Sequence, residues 1–175
     1  MTARADVHPV THFDTRTARV SKLYQEGIVA GVAGAATIAV WFLILDSIAG
    51  RPFYTPTVLG TALFRKGAGL DSPQSLPVSF DMVLAFTWLH LLVFAVIGGL
   101  ASQLIGFAER RPNFGFAVIL FFVIFEFGFV TVFMTFAQDV LHALAWPRVL
   151  VGNLLAATSM GVYFWRRHPQ LTIEP

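Results

Sequence analysis

Four long apolar runs separated by short polar stretches dominate the pattern of this chain. Each run is long enough to cross the roughly 30 Å hydrocarbon core of a bilayer as a helix, which takes about 20 residues. Backbone groups in lipid must form their hydrogen bonds within the segment, so each run is predicted to be α-helical. The predicted spans cover residues 28–48, 82–107, 114–137 and 147–165.

The pattern therefore predicts an all-α fold, namely a single domain over residues 1–175 that forms an integral membrane bundle of four transmembrane helices. The only sizeable loop covers residues 49–81. Within that loop, Thr55 followed by Pro56 is typical of an N-cap with proline at the first helical position. We expect a short interfacial helix over residues 57–64.

Lysine and arginine in the flanks predict the orientation of the bundle, because they concentrate on the cytoplasmic side. The flanks that fall on one side hold Arg4, Arg16, Arg19, Lys22, Arg110, Arg111, Arg166 and Arg167. The flanks on the other side hold Arg51, Arg65, Lys66 and Arg148. Both termini are therefore predicted to be cytoplasmic, with the loop 49–81 outside.

Composition narrows the class of protein further. Apolar residues make up 56% of the chain and charged residues 13%, against about 25% charged in soluble domains. A soluble domain and a nucleic-acid-binding protein are excluded on this ground. The chain has no cysteine, which excludes disulfides, thiolate metal sites and thiol catalysis.

Small residues at four-residue spacing mark three of the predicted helices. Such residues let membrane helices approach closely, so they indicate either internal packing or the docking of a partner protein. The third helix instead carries nine phenylalanines between residues 114 and 136, which face lipid, a hydrophobic cofactor or another subunit. The candidate packing residues are Gly27, Gly31, Gly34, Gly98, Gly99, Gly152 and Ala156.

Four polar residues fall inside the predicted spans, where ionisable groups are costly and face the bundle interior. At about 1.5 Å per residue, all four lie in the outer half of the membrane, one on each helix, and could form one cluster. A carboxylate as deep as Glu126 requires a proton or a partner, and His90 is the natural one. The cluster is either a hydrogen-bonded knot or a proton or small-molecule site. Its members are Asp46, His90, Glu126 and Asn153.

No E-x-x-H pairing supports a metal site, and no hydrolase or phosphate-binding motif is present. No metal and no cofactor is therefore expected, although a bound lipid is compatible with the sequence. The stretches Trp41–Gly50 and Gly152–Pro169 resemble small four-helix membrane proteins of bacteria. The resemblance implies a bacterial cytoplasmic (inner) membrane location and no particular activity.

The leading hypothesis is a non-catalytic accessory or structural subunit of a larger membrane complex of respiratory, photosynthetic or oxygenase type. Its expected partners are membrane lipids and larger membrane subunits, with no nucleic acid. One alternative is a small proton or ion transporter or channel that uses Glu126 and His90. Another is a membrane enzyme with a site near Asp46, His90 and Glu126.

Overall fold

A computed structural model describes residues 12–66, 70, 75–109, 116, 120–124, 127–128, 131 and 146–169 of the chain, with side chains from residue 21 onward except at Trp146. Most of these residues are helical and none of them is in a strand, which confirms the all-α prediction for this part of the chain. The helices are α1 (His12–Ile48), α2 (Tyr54–Phe64), α3 (Phe80–Ala108) and α4 (Trp146–Arg167).

Two stretches, Ser21–Ile48 of α1 and Phe80–Ala108 of α3, are long and apolar enough to cross a membrane. They contain the predicted spans 28–48 and 82–107. α4 matches the predicted span 147–165 in length but is less apolar, because Asn153, Thr158 and Ser159 interrupt it. Most of the predicted span 114–137, with its phenylalanines, lies outside the described residues.

α1 ends in a Schellman motif centred on Gly50, which has a positive φ of 70°. The Arg51 N–H donates to the Asp46 carbonyl at 2.8 Å, and the Gly50 N–H donates to the Ser47 carbonyl at 3.0 Å. Glycine suits this position because it has no Cβ to clash in the left-handed conformation. The turn sends the chain directly into α2.

α1 and α3 pack antiparallel through glycines. A Cβ on Gly27 would lie 2.6 Å from the Gly98 carbonyl oxygen, and one on Gly31 would lie 2.7 Å from the carbonyl carbon of Phe94. Further along the same seam, the Ser102 hydroxyl donates to the Leu23 carbonyl at 2.6 Å. Residue numbers rise along α1 as they fall along α3, so the two helices run in opposite directions at backbone contact.

α4 packs against the C-terminal half of α1, and these two helices also run antiparallel. A Cβ on Gly34 would lie 2.8 Å from Met160 Sδ, and one on Gly152 would lie 3.0 Å from Trp41 Cδ1. Near the start of α4, the Trp41 indole N–H donates to the Arg148 carbonyl at 3.0 Å. The three-helix core contains Ala30, Ala35, Phe94, Ile97, Ala101, Ile105, Ala156, Met160 and Phe164.

α2 is the short helix of the loop, but it begins at Tyr54, and the prediction that Thr55 caps it is wrong. Phe53, with a positive φ of 66°, occupies the N-cap position and offers no side-chain cap. Asp46 of α1 accepts hydrogen bonds from the first turn instead. Six of the eleven α2 residues are buried, and Gly60 packs against Met82 at the start of α3.

Candidate functional site

Asp46 joins the end of α1 to the first turn of α2. Its Oδ2 accepts a hydrogen bond of 2.7 Å from the Thr55 backbone N–H, and its Oδ1 accepts one of 2.8 Å from the Thr55 hydroxyl. A carboxylate at a helix N-terminus satisfies a free N–H group and interacts favourably with the helix dipole. The residue is buried, so Asp46 acts as a cap supplied from another helix.

Two arginines lie near this carboxylate, around a pocket of about 110 Å³. The Arg51 guanidinium donates through Nη2 to the Leu76 carbonyl at 3.1 Å and lies 4.0 Å from the centre of the Tyr54 ring. Arg148, in the first turn of α4, lines the other side of the pocket. The pocket therefore combines two guanidinium groups with one carboxylate.

His90 lies at a different level of the bundle. Its Nε2 is 3.3 Å from the Ala35 carbonyl oxygen, and its ring lies between those of Phe86 and Phe94 at centroid distances of 5.5 and 4.7 Å. Ala35 and Asp46 are separated by about 16 Å along the axis of α1. The structure thus does not bring His90 and Asp46 together, and His90 bridges α3 to α1.

The other two members of the predicted polar cluster are less informative. Asn153 is half-buried on α4, and its neighbour Gly152 faces Trp41, which puts it between the levels of His90 and Asp46. Glu126 lies outside the described residues. Asp46 and His90 therefore do not share one cluster, and the pairing of His90 with Glu126 stays a prediction.

Six of the seven candidate packing residues lie in helix contacts within the chain. Gly27, Gly31 and Gly98 form the α1–α3 seam, and Gly34 and Gly152 are at the α1–α4 contact. Ala156 is buried in the core. Gly99 differs, because a Cβ built there would meet nothing within 4 Å.

A second polar group, which we name the carboxylate–histidine cluster, joins three helices at the opposite end of the bundle. It consists of Glu26 in α1, Glu109 after α3 and His168 after α4. His168 Nδ1 lies 2.5 Å from Glu109 Oε1, and its Nε2 lies 3.3 Å from Glu26 Oε2. The second contact has ion-pair distance but not hydrogen-bond geometry. A protonated imidazole can donate from both nitrogens, so one ring can serve both carboxylates.

The predicted sites do not include this cluster, because they comprise only polar residues deep inside the predicted spans. His168 directly follows Arg166 and Arg167, which belong to the predicted cytoplasmic flank. A usable signal was present, since Glu26, Glu109 and His168 each lie at the same predicted end of a different helix. Opposite charges at one level of an antiparallel bundle are candidates for contact.

We expect His168→Ala to lower the free energy of unfolding by about 1–2 kcal/mol, because it leaves the buried Glu26 carboxylate beside Glu109 with no imidazole donor between them. Thermal unfolding in a mild detergent measures the change. Arg166→Ala is the control, since it removes an exposed positive charge two residues away. Equal stability of the two variants would show that the cluster does not hold the helices together.

Comparison with known proteins finds no match to this chain among protein-family models, curated proteins or solved structures. The fold and its polar sites therefore define the class of this protein. It is a helical bundle with two helices that are long and apolar enough to cross a membrane.

Proposed function

We propose that this chain is a four-span integral membrane protein that serves as a non-catalytic subunit of a larger membrane complex. Both termini face the cytoplasm in this proposal, and the membrane is the bacterial inner membrane. The observation that carries the proposal is an apolar stripe that runs along the exposed side of α3. We define the α3 stripe as Phe80, Leu84, Trp88, Leu92, Val96 and Leu100.

The exposed side chains support membrane insertion. A long apolar helix can also form the core of a soluble protein, but it is then mostly buried. Here only 22% of the apolar window in α1 and 11% of that in α3 is buried within the protein. An uninterrupted apolar stripe along a whole helix is rare on soluble proteins and marks a surface that contacts lipid or another protein.

The direction of the helices supports four crossings. α3 and α4 both run antiparallel to α1, so they run parallel to each other. Two parallel helices require a return crossing between them, and the described residues of that stretch, at 116, 120–124, 127–128 and 131, are helical. Such a crossing corresponds to the predicted span 114–137 and leaves both termini on one side.

Trp88 supports a protein partner in addition to lipid. It is 75% exposed and lies roughly two turns from the start of α3, or about 12 Å along the axis. An exposed tryptophan surrounded by aliphatic side chains resembles the anchor residues of protein–protein interfaces.

The polar contacts support a non-catalytic role. Asp46 caps α2, His90 contacts the Ala35 carbonyl, and Ser102 donates to the Leu23 carbonyl. Each contact joins one helix to another, so these polar side chains have a structural role in holding the helices together. The transport hypothesis depends on Glu126, which lies outside the described residues, and stays an alternative.

The test is to solubilise native membranes gently, separate them by size under non-denaturing conditions and identify the proteins that migrate with this chain by mass spectrometry. We expect stoichiometric larger subunits. Trp88→Leu should weaken that association about 30-fold, corresponding to about 2 kcal/mol for an interface anchor. Trp165→Leu, which changes a tryptophan 80% exposed at the end of α4, should leave it intact.

Migration of the wild-type chain alone, or as a small homo-oligomer, would overturn the subunit proposal. In that case the transport alternative predicts that Glu126→Gln and His90→Ala abolish proton or ion flux in vesicles without unfolding the protein. Equal effects of Trp88→Leu and Trp165→Leu would show that the α3 stripe is not the docking surface.

A further inference from the structure

The pocket between α1, α2 and α4 has the composition of an anion site. Arg51, in the turn between α1 and α2, and Arg148, in the first turn of α4, both line it. Asp46 is the one carboxylate among the lining residues. Both arginines lie within electrostatic reach of Asp46. Two positive charges and one negative charge leave the pocket with a net charge of +1. Within the described residues, neither guanidinium forms an ion pair with a carboxylate.

Both carboxylate oxygens of Asp46 are engaged in hydrogen bonds within the protein. Each of its carboxylate oxygens accepts a hydrogen bond from Thr55, one from the backbone N–H and one from the hydroxyl. The N-terminus of α2 also contributes a partial positive charge to this region. Asp46 therefore holds the pocket in shape, while the arginines determine its charge.

Arg51 is held in place before any ligand binds. The Leu76 carbonyl accepts from Nη2, and the Tyr54 ring lies under the guanidinium. Arginine has five N–H donors in a planar fork that matches the oxygens of a phosphate group. Arg148 is an exposed residue of the pocket lining, and its backbone carbonyl accepts the hydrogen bond from the Trp41 indole.

Part of the pocket lining is apolar. Phe42, Leu45 and Ala49 contribute to it, and the pocket lies at the end of the apolar stretch Ser21–Ile48. A ligand that is charged at one end and apolar at the other fits this arrangement. The pocket has a volume of about 110 Å³, comparable to the roughly 150 Å³ cavity that accommodates a benzene ring. The pocket therefore has room for one phosphate group.

From this geometry we infer that the Arg51–Arg148 pocket binds the phosphate group of an anionic lipid headgroup at the membrane surface, with the acyl chains in the surrounding lipid. Basic pockets between transmembrane helices bind anionic lipid headgroups on the cytoplasmic side of membranes, and this pocket has the same chemistry at the outer end of α1 in the proposed orientation. A headgroup of charge −1 would neutralise the net +1 of the pocket. The inference rests on the proposal that α1 spans the membrane, but it does not depend on a partner subunit.

The test uses the full chain purified in a non-ionic detergent and native mass spectrometry with added phosphatidylglycerol. We expect one lipid bound per chain. Diacylglycerol with the same acyl chains but no phosphate should not compete for the site. Arg148→Gln should weaken binding of phosphatidylglycerol about tenfold, the loss of one charge-assisted contact. This variant keeps the hydrogen bond from Trp41, because the acceptor there is the backbone carbonyl of Arg148.

Arg65→Gln is the matched control, since it removes the same charge from an exposed arginine at the other end of α2. It should bind phosphatidylglycerol as the wild type does. Equal loss in Arg65→Gln and Arg148→Gln, or unchanged binding in Arg148→Gln, would overturn the site. Displacement of the lipid by millimolar inorganic phosphate would show a free-anion site and overturn the lipid assignment. Because the chain is tested without partners, a negative result leaves the subunit proposal standing.

Discussion

Gly31→Ala should lower the free energy of unfolding by about 2 kcal/mol or more. Its new methyl group would lie 2.7 Å from the carbonyl carbon of Phe94 and 3.0 Å from the Cα of Ala95. Both neighbours are backbone atoms of α3, so the helices must separate to admit the methyl group. Overpacking of this kind usually costs about 1–3 kcal/mol. Unfolding in a mild detergent, followed by circular dichroism, measures the loss.

Gly99→Ala is the control for this prediction, because it makes the same chemical change on α3 where a Cβ meets nothing within 4 Å. Alanine is the better helix former by about 1 kcal/mol, so this variant should equal or exceed the wild type in stability. If Gly31→Ala and Gly99→Ala unfold alike, α1 and α3 do not meet at backbone contact.

The second large effect is expected from Asp46→Ala, which should loosen α2 while the α1–α3 seam stays closed. Removing the carboxylate leaves the Thr55 N–H and hydroxyl in the protein interior without their acceptor. Loss of a helix cap costs about 0.5–2 kcal/mol, and loss of hydrogen bonds to a charged group about 1.5–3 kcal/mol. We expect a total near 2 kcal/mol and faster hydrogen exchange at the α2 amides.

Asp81→Ala is the matched control, because Asp81 is an exposed aspartate in the first turn of α3. It should change the exchange of α2 amides little. Asp46→Asn should fall between wild type and Asp46→Ala, since an amide oxygen still accepts one hydrogen bond at a helix N-terminus. Unchanged exchange in Asp46→Ala would mean that α2 does not depend on α1 for its cap.

These two predictions concern features that differ in how far the sequence could anticipate them. The spacing of Gly27 and Gly31 indicated that α1 had a face suited to close approach. It left open whether that face met a helix of this chain or of another protein. The contact of Gly31 with Phe94 and of Gly27 with Gly98 is a matter of register between helices that are far apart in the chain.

Asp46 illustrates the limit more sharply. Its depth in the first predicted span suggested a partnership with His90 and Glu126. The side chain instead reaches Thr55, nine residues further on, because the turn at Gly50 brings the start of α2 next to the end of α1. A depth count along separate helices treats each span as straight and ignores such a turn.

By itself, the sequence determined that the described chain is helical and that two stretches can cross a membrane. It also located the residues small enough for helices to touch. These properties follow from local composition and period. Tertiary structure alone decided that α3 and α4 both pack on α1, that Asp46 caps α2, and that His168 joins Glu26 and Glu109. Such pairings depend on helix direction and register. Residues that are far apart in the chain set both, so no single stretch of the sequence predicts them.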